Sequence, residues 1–179
     1  LMSDHLDNLS RQLEAARRGP AAPPVEQWDP PLSGDIAIRI LADGSWLHDG
    51  DPIRREALVR LFAGILRREA DGAYYLVTPV EKWRITVDLH PLVVEDVEAV
   101  DEDGQVTLLA SCNTGRQVAV DADHPLFTEP AAAGAAVVQL ERGLTALFSR
   151  KAWHRLVDLA VEEDGVAVVY SAGQRFPLA

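Results

Sequence analysis

The chain has 179 residues, 47% apolar and 25% charged, values that fit one or two folded domains and exclude a disordered or fibrous chain. Its 17 Lys and Arg against 28 Asp and Glu leave a formal net charge of −11, which repels phosphate backbones and anionic headgroups, so neither DNA, RNA nor a membrane is expected as partner. The single cysteine, Cys112, rules out an intrachain disulfide and a cysteine-based metal cluster.

No apolar run approaches the roughly 18 residues of a membrane span. Residues 1–19 are polar and charged, without the apolar core of a secretory leader, and cytoplasm is the expected location. Leu6, Leu9, Leu13 and Ala16 make a narrow apolar stripe on a helix from about Asp4 to Arg17. Gly19-Pro20 ends it, and the proline-rich stretch that follows reads as a linker in which Trp28 docks onto the main body.

From Gly34 the pattern is that of sheet. Ile36, Ile38 and Ile40 alternate on a half-buried strand, Asp43-Gly44 turns the chain, and Trp46-Leu47-His48 returns. Asp51-Pro52 suits a helix start, with Asp51 as cap and Pro52 in the first turn. Leu58, Leu61, Phe62, Ile65 and Leu66 then form the buried stripe of a helix expected to run to Asp71-Gly72. A strand follows at Ala73–Val77. Thr78-Pro79 is expected to break or bulge the ladder, because proline cannot donate to it, before Val80–Leu89 resumes.

Pro91–Val100 and Gln105–Ser111 form a hairpin through Asp103-Gly104, and Asn113-Thr114-Gly115 leads into Arg116–Val120. Residues 130–136 read as a loop and Val137–Leu140 as a strand. Leu144, Leu147, Trp153, Leu156, Val157 and Leu159 have helical spacing, with Ser149 as a cap. Asp164-Gly165 is expected to close that helix before a last strand at Val166–Tyr170.

The two halves rhyme. Leu58-Val59-Arg60-Leu61 precedes Asp71-Gly72 and an apolar strand; Leu156-Val157-Asp158-Leu159 precedes Asp164-Gly165 and another. The expected fold class is therefore α+β, with two related small domains of mostly antiparallel sheet and one main helix each. Residues 1–33 would be the helix and linker, 34–90 the first domain and 91–179 the second. An interface crevice between such domains is a favoured ligand position.

Strong catalytic signals are absent. There is no phosphate loop, dinucleotide fingerprint, nucleophile elbow or zincin spacing, and the five histidines stand far apart. His48-Asp49-Gly50-Asp51 and Asp121-Ala122-Asp123-His124 place carboxylates beside an imidazole, as acid–base or hard-metal sites do, but such runs are more often turns. Asp101-Glu102-Asp103-Gly104 lacks calcium-loop spacing and reads as a hairpin turn. Neither a metal nor a cofactor is expected. Basic residues are few, which gives Arg67-Arg68, Lys82 with Arg84, and Arg142 with Arg150 more weight. If the Thr78-Pro79 break opens the sheet, backbone groups and Lys82 would meet an anion there. Thr78, Glu81 and Lys82 are the first candidates for a ligand site, joined by Arg84, Arg67 and Asn113.

The stretch from Gly34 to Ile85, GDIAIRILADGSWLHDGDPIRREALVRLFAGILRREADGAYYLVTPVEKWRI, resembles the signature of a bacterial family catalogued as domain of unknown function 1285. NTG at 113–115, DHPL at 123–126, RGLTALFSR at 142–150 and the closing FPL extend the likeness over residues 28–179. The resemblance implies two related domains, the second like a pleckstrin-homology barrel, with a nucleotide-based ligand at their interface and a role in signal transduction. One turn departs from the family pattern: an acid usually follows the glycine after Asn113, whereas Arg116 follows Gly115 here, reversing the charge.

The leading expectation is a non-catalytic ligand-binding or regulatory module. A protein-interaction adaptor, docking a partner or a second copy through the N-terminal segment, is the alternative. A hydrolase using an Asp–His cluster ranks third.

Overall fold

In the computed structural model, residues 6–11 and 24–179 are described. Residues 6–11 are helical with Leu9 fully buried, while the rest of the expected Asp4–Arg17 helix, Leu13 and Ala16 included, lies outside the described residues. The chain divides into two units, Leu1–Leu89 and His90–Ala179.

The first unit begins with the strands β1 (Gly34–Ile40), β2 (Trp46–His48) and β3 (Asp51–Pro52). A helix, α1 (Glu56–Ala63), follows, and then β4 (Leu66–Arg68), β5 (Tyr74–Val77) and β6 (Lys82–Val87). The six strands form one sheet in the order β3-β2-β1-β6-β5-β4. Each triplet is an antiparallel meander, and the two meanders join where β1 runs parallel to β6. Ile36, Ile38 and Ile40 point to the core face, as period-two alternation requires. Phe62 of α1 lies over Trp46 of β2 with ring centroids 6.4 Å apart, and burying such a side chain stabilises by roughly 1.5–3 kcal/mol.

Two expectations for this unit fail for identifiable reasons. Asp51-Pro52 does not start the helix, because Asp49-Gly50 adopts positive φ at both residues (51° and 84°) and folds His48 onto Asp51 as a tight hairpin. Pro52 is harmless there, since β3 is an edge strand with no ladder donor to supply. The helix also stops at Ala63 rather than near Asp71. Leu66 pairs with Leu76, so the second half of the apolar stripe is consumed by strand pairing; a short apolar run does not by itself distinguish the two.

The second unit contains β7 (Leu92–Glu102), β8 (Gln105–Cys112) and β9 (Gln117–Ala119), followed by β10 (Leu126–Glu129), β11 (Ala135–Gln139) and β12 (Thr145–Phe148). Their sheet order, β10-β11-β12-β7-β8-β9, repeats that of the first unit, again with the first strand parallel to the last. The helix α2 (Arg150–Asp158) packs on β7, β11 and β12 through its Ala152 and Leu156 face. A three-stranded sheet of β13 (Val161–Glu163), β14 (Val166–Ser171) and β15 (Gln174–Pro177) completes it.

The duplication is therefore real at the level of strand order, but the helices do not correspond. α1 falls between the meanders of its unit, whereas α2 follows the second meander. Asp164-Gly165 closes the β13–β14 hairpin with φ of 51° and 81° instead of ending a helix. Leu144 and Leu147 belong to the approach and body of β12, a fully buried strand between β11 and β7. The expected loop at 130–136 is a short 3-10 turn, Pro130–Ala132, that runs into β11 at Ala135.

One buried contact shows how the second sheet coils. His90 accepts or donates at both nitrogens: Nδ1 is 2.7 Å from Thr145 Oγ1 and Nε2 is 2.7 Å from Glu129 Oε1. Thr145 pairs with Gln139 and Glu129 with Ala135, so the bridged residues are two strands apart. In a flat sheet their Cα atoms would stand about 16 Å apart, and one imidazole spans them only if the sheet curls.

Ser149 caps α2 by accepting from the Ala152 N–H at 3.1 Å. Ser149→Ala is expected to lower the unfolding free energy by about 1 kcal/mol and Ser149→Asp to preserve it. Urea denaturation of the three proteins checks this; equal midpoints for Ser149→Ala and the parent would remove the cap's role.

Candidate ligand-binding face on the first unit

Register places the site. Arg67 of β4 stands opposite Tyr75 of β5, and Tyr75 opposite Arg84 of β6, so the three side chains form one row across the sheet. Lys82 lies two residues before Arg84 and therefore on the same face. This face points away from the Ile36, Ile38 and Ile40 side.

Around the Tyr75 ring the charges converge. Lys82 Nζ stands 4.9 Å from the ring centroid and the Arg84 guanidinium 5.6 Å, both within reach of a cation–π attraction. The Tyr75 hydroxyl donates to Asp71 Oδ2 at 2.6 Å and accepts from Arg84 at 3.3 Å. Glu69 divides its carboxylate between two cations, taking Arg67 on Oε2 at 2.5 Å and Lys82 on Oε1 at 3.0 Å. The exposures of these three side chains, 13% for Arg67, 15% for Lys82 and 24% for Glu69, mark them as largely desolvated. Arg84 is open at 45%, and Asp35 stands 3.9 Å away, beyond hydrogen-bond range. Partial burial alone would raise the Glu69 carboxyl, yet hydrogen bonds from Arg67 and Lys82 hold it below its ordinary value.

The candidates named from sequence separate as follows. Arg67, Lys82 and Arg84 come together, with Thr78 and Glu81 in the neighbouring loop. Thr78-Pro79 does not break a ladder: the strands pair down to Val77 and Lys82, and residues 78–81 are the connection of the β5–β6 hairpin. The loop is closed by Thr78 itself. Its N–H donates to the Glu81 carbonyl at 2.8 Å, and its hydroxyl accepts from the N–H groups of Glu81 (2.9 Å) and Val80 (3.3 Å). Thr78 is fully buried, so its hydroxyl serves the turn rather than an open surface. Asn113 belongs to the second unit. Its N–H donates to the Val93 carbonyl at 2.8 Å and its Oδ1 accepts from the Val93 N–H at 3.1 Å, clamping β7 beside a register shift.

Glu69 and Tyr75, the centre of this face, carried no sequence signal of their own. Only the Glu69 position two residues after Arg67 hinted at a pair. The Asp–His clusters are turns. Asp121 Oδ1 accepts from the N–H groups of Asp123 (3.0 Å) and His124 (2.8 Å), and His48 Nε2 lies 3.4 Å from Asp49. Asp101 Oδ1 likewise takes the Gly104 N–H at 2.9 Å. Among the described residues no group of three His, Cys, Asp or Glu is placed to hold a metal ion. Burial pushes the Cys112 thiol up to about 11, which keeps it protonated and unreactive at neutral pH. No helix among the described residues is long and apolar enough to cross a membrane.

The fold is thus a two-unit α+β chain of two sheet-rich modules. Residues 23–89 match the domain of unknown function DUF1285, N-terminal domain, and residues 91–178 match its C-terminal domain; the chain belongs to the DUF1285 family. A crystal structure of a DUF1285 family protein from Silicibacter pomeroyi DSS-3 is 40% identical, with a TM-score of 0.80 over 92% of this chain and 93% of that one. A second, from Shewanella baltica OS155, is 29% identical with a TM-score of 0.58, over 69% of this chain and 91% of that one. No curated protein matches.

The second unit holds its own polar cluster, in which Glu141 pairs with Arg116 and lies 3.4 Å from His124 Nε2. Burial would raise the Glu141 carboxyl, but hydrogen bonds from Arg116 and from its own backbone N–H bring it down to about 2. A depressed carboxylate contributes stability that is complete above its unfolded value, about 4.5, and is lost as pH falls toward about 2. Glu141→Gln is expected to flatten that part of the stability profile, and urea midpoints measured across the window test it; an unchanged slope would assign the acid loss elsewhere.

Proposed function

We propose that the chain is a non-catalytic ligand-binding or regulatory module whose first unit takes a small anion, of nucleotide type, on the Arg67–Lys82–Arg84 face. One observation carries this: three cations, Arg67, Lys82 and Arg84, gather around Tyr75 in a chain whose net charge is −11, facing Glu69, Asp71 and Asp35, the carboxylates an anion would stand in for. Such a focus attracts a compact polyanion while the surrounding acidic surface turns away a long one. Arg84, half exposed and not hydrogen-bonded by Asp35, is the first contact. Lys82 and Arg67 lie deeper and offer charge-assisted donors to phosphate oxygens.

In this reading the second unit is a pleckstrin-homology-like module, with six strands, one helix and a closing three-stranded sheet, and ligand occupancy of the first is read out in signal transduction. A second reading, an adaptor that binds a protein partner or another copy of the chain, draws support from exposed apolar side chains at the end of α2 and on β13. Val157, Leu159 and Val161 are 41%, 40% and 51% exposed, more than scattered surface residues require.

Isothermal titration calorimetry with nucleoside di- and triphosphates and inorganic pyrophosphate should give a saturable heat. Lys82→Ala, with an unchanged circular dichroism spectrum, should weaken it about tenfold, equivalent to about 1.4 kcal/mol. Flat titrations across these anions would sink the ligand class. For the adaptor, sedimentation analysis of Val161→Glu should show loss of any self-association present in the parent; identical assembly would remove this surface from consideration.

A further inference from the structure

The face described above is tied to the segment that precedes β1. Residues 25–27 form a 3-10 turn, held by Gln27 N–H to the Pro24 carbonyl (2.9 Å) and Trp28 N–H to the Val25 carbonyl (3.2 Å). Val25 is fully buried and Trp28 half-buried. One nitrogen of the Arg67 guanidinium donates to two carbonyls of this turn, Val25 at 3.0 Å and Trp28 at 2.7 Å, while the other engages Glu69. At the far end Ser33 and Lys82 exchange bonds: Ser33 N–H reaches the Lys82 carbonyl at 2.7 Å, and Lys82 N–H reaches Ser33 Oγ at 3.1 Å. The segment is therefore fastened at both ends by residues of the cationic face.

We propose that residues 24–33 are a strap released by anion binding, with Arg67 as the exchanged contact. The inference rests on the reading of the face as an anion site. Carbonyl oxygens are neutral acceptors, whereas a phosphate carries charge and can accept two parallel N–H bonds from one guanidinium, adding Coulomb attraction and geometric fit to bonds already assisted by the cation. A phosphate that reaches Lys82 and Arg67 draws the Arg67 fork off Val25 and Trp28. The turn then keeps only its short internal bonds, and a lone 3-10 turn is a weak structure. The coupling is reciprocal: the strap in place lowers anion affinity by the factor with which the anion loosens the strap. Ser33 remains on the Lys82 backbone, which the ligand does not contact, so the strap opens from its Val25 end.

The test is amide hydrogen exchange of the full chain with and without inorganic pyrophosphate, at matched ionic strength, alongside calorimetry of the same mixture. Binding heat with exchange at Gln27 and Trp28 accelerated about tenfold, within the usual range of coupling, is the expected result. Binding heat with exchange unchanged or slowed overturns the strap and leaves the anion site standing. Absence of heat overturns the site and the strap together. Arg67→Met keeps an unbranched stem but supplies no donor to the Val25 and Trp28 carbonyls, so Gln27 and Trp28 should exchange fast before any pyrophosphate is added. Full protection in that variant also overturns the proposal.

Discussion

Parallel pairing of a first strand with a last strand is the constraint on which each unit depends. β1 lies beside β6 and β7 beside β12, and each pairing closes a loop that contains the rest of both meanders. Antiparallel hairpins form locally; a parallel contact closes a loop of dozens of residues and bears the corresponding entropy. Once made, it converts two marginal three-stranded ribbons into one six-stranded sheet with a continuous apolar face. That pairing also positions the cationic face. β6 is held against β1 on one side and β5 on the other, so Lys82 and Arg84 sit on a central strand paired along both edges.

The repetition of strand order explains why two helices with similar stripes occupy different places. A sheet of two meanders leaves one apolar face to be covered, and the physics asks only that a helix lie on it. α1 reaches its sheet from between the meanders, α2 from after them. The second unit then needs β13, β14 and β15, where Ser171 Oγ donates to the Val120 carbonyl at 2.5 Å and accepts from the Leu108 N–H at 2.8 Å. This buried hydroxyl fastens the added hairpin to the loop after β9 and to β8.

Strand alternation and Asp-Gly turns made the α+β class legible, since Ile36, Ile38 and Ile40 can serve only a half-buried strand and Asp103-Gly104 suits only a tight hairpin. Signals open to two structures were misread. Leu66 and Leu147 satisfy helical spacing, but their partners across the sheet, Leu76 and Val137, claim them. The cationic face was half visible. Arg67, Lys82 and Arg84 stood out as rare cations, while Tyr75 meets them, and Glu69 meets Lys82, only through a register that no local pattern encodes. The same applies to His90, whose partners Thr145 and Glu129 are 55 and 39 residues away along the chain.

Glu69 decides what this face can do. With the carboxylate in place, Arg67 and Lys82 are held apart from solvent, and the sheet tolerates two desolvated cations that would otherwise repel each other across Tyr75. Glu69 does not engage every donor of both, and the others turn elsewhere: Arg67 to backbone carbonyls, Lys82 to an aromatic face. Each of these partners is neutral. Carbonyls and a ring stabilise a cation less than a phosphate does, so the arrangement is satisfied without being saturated. On the proposed reading these donors are what an external anion would take up, and the same guanidinium fastens a chain segment.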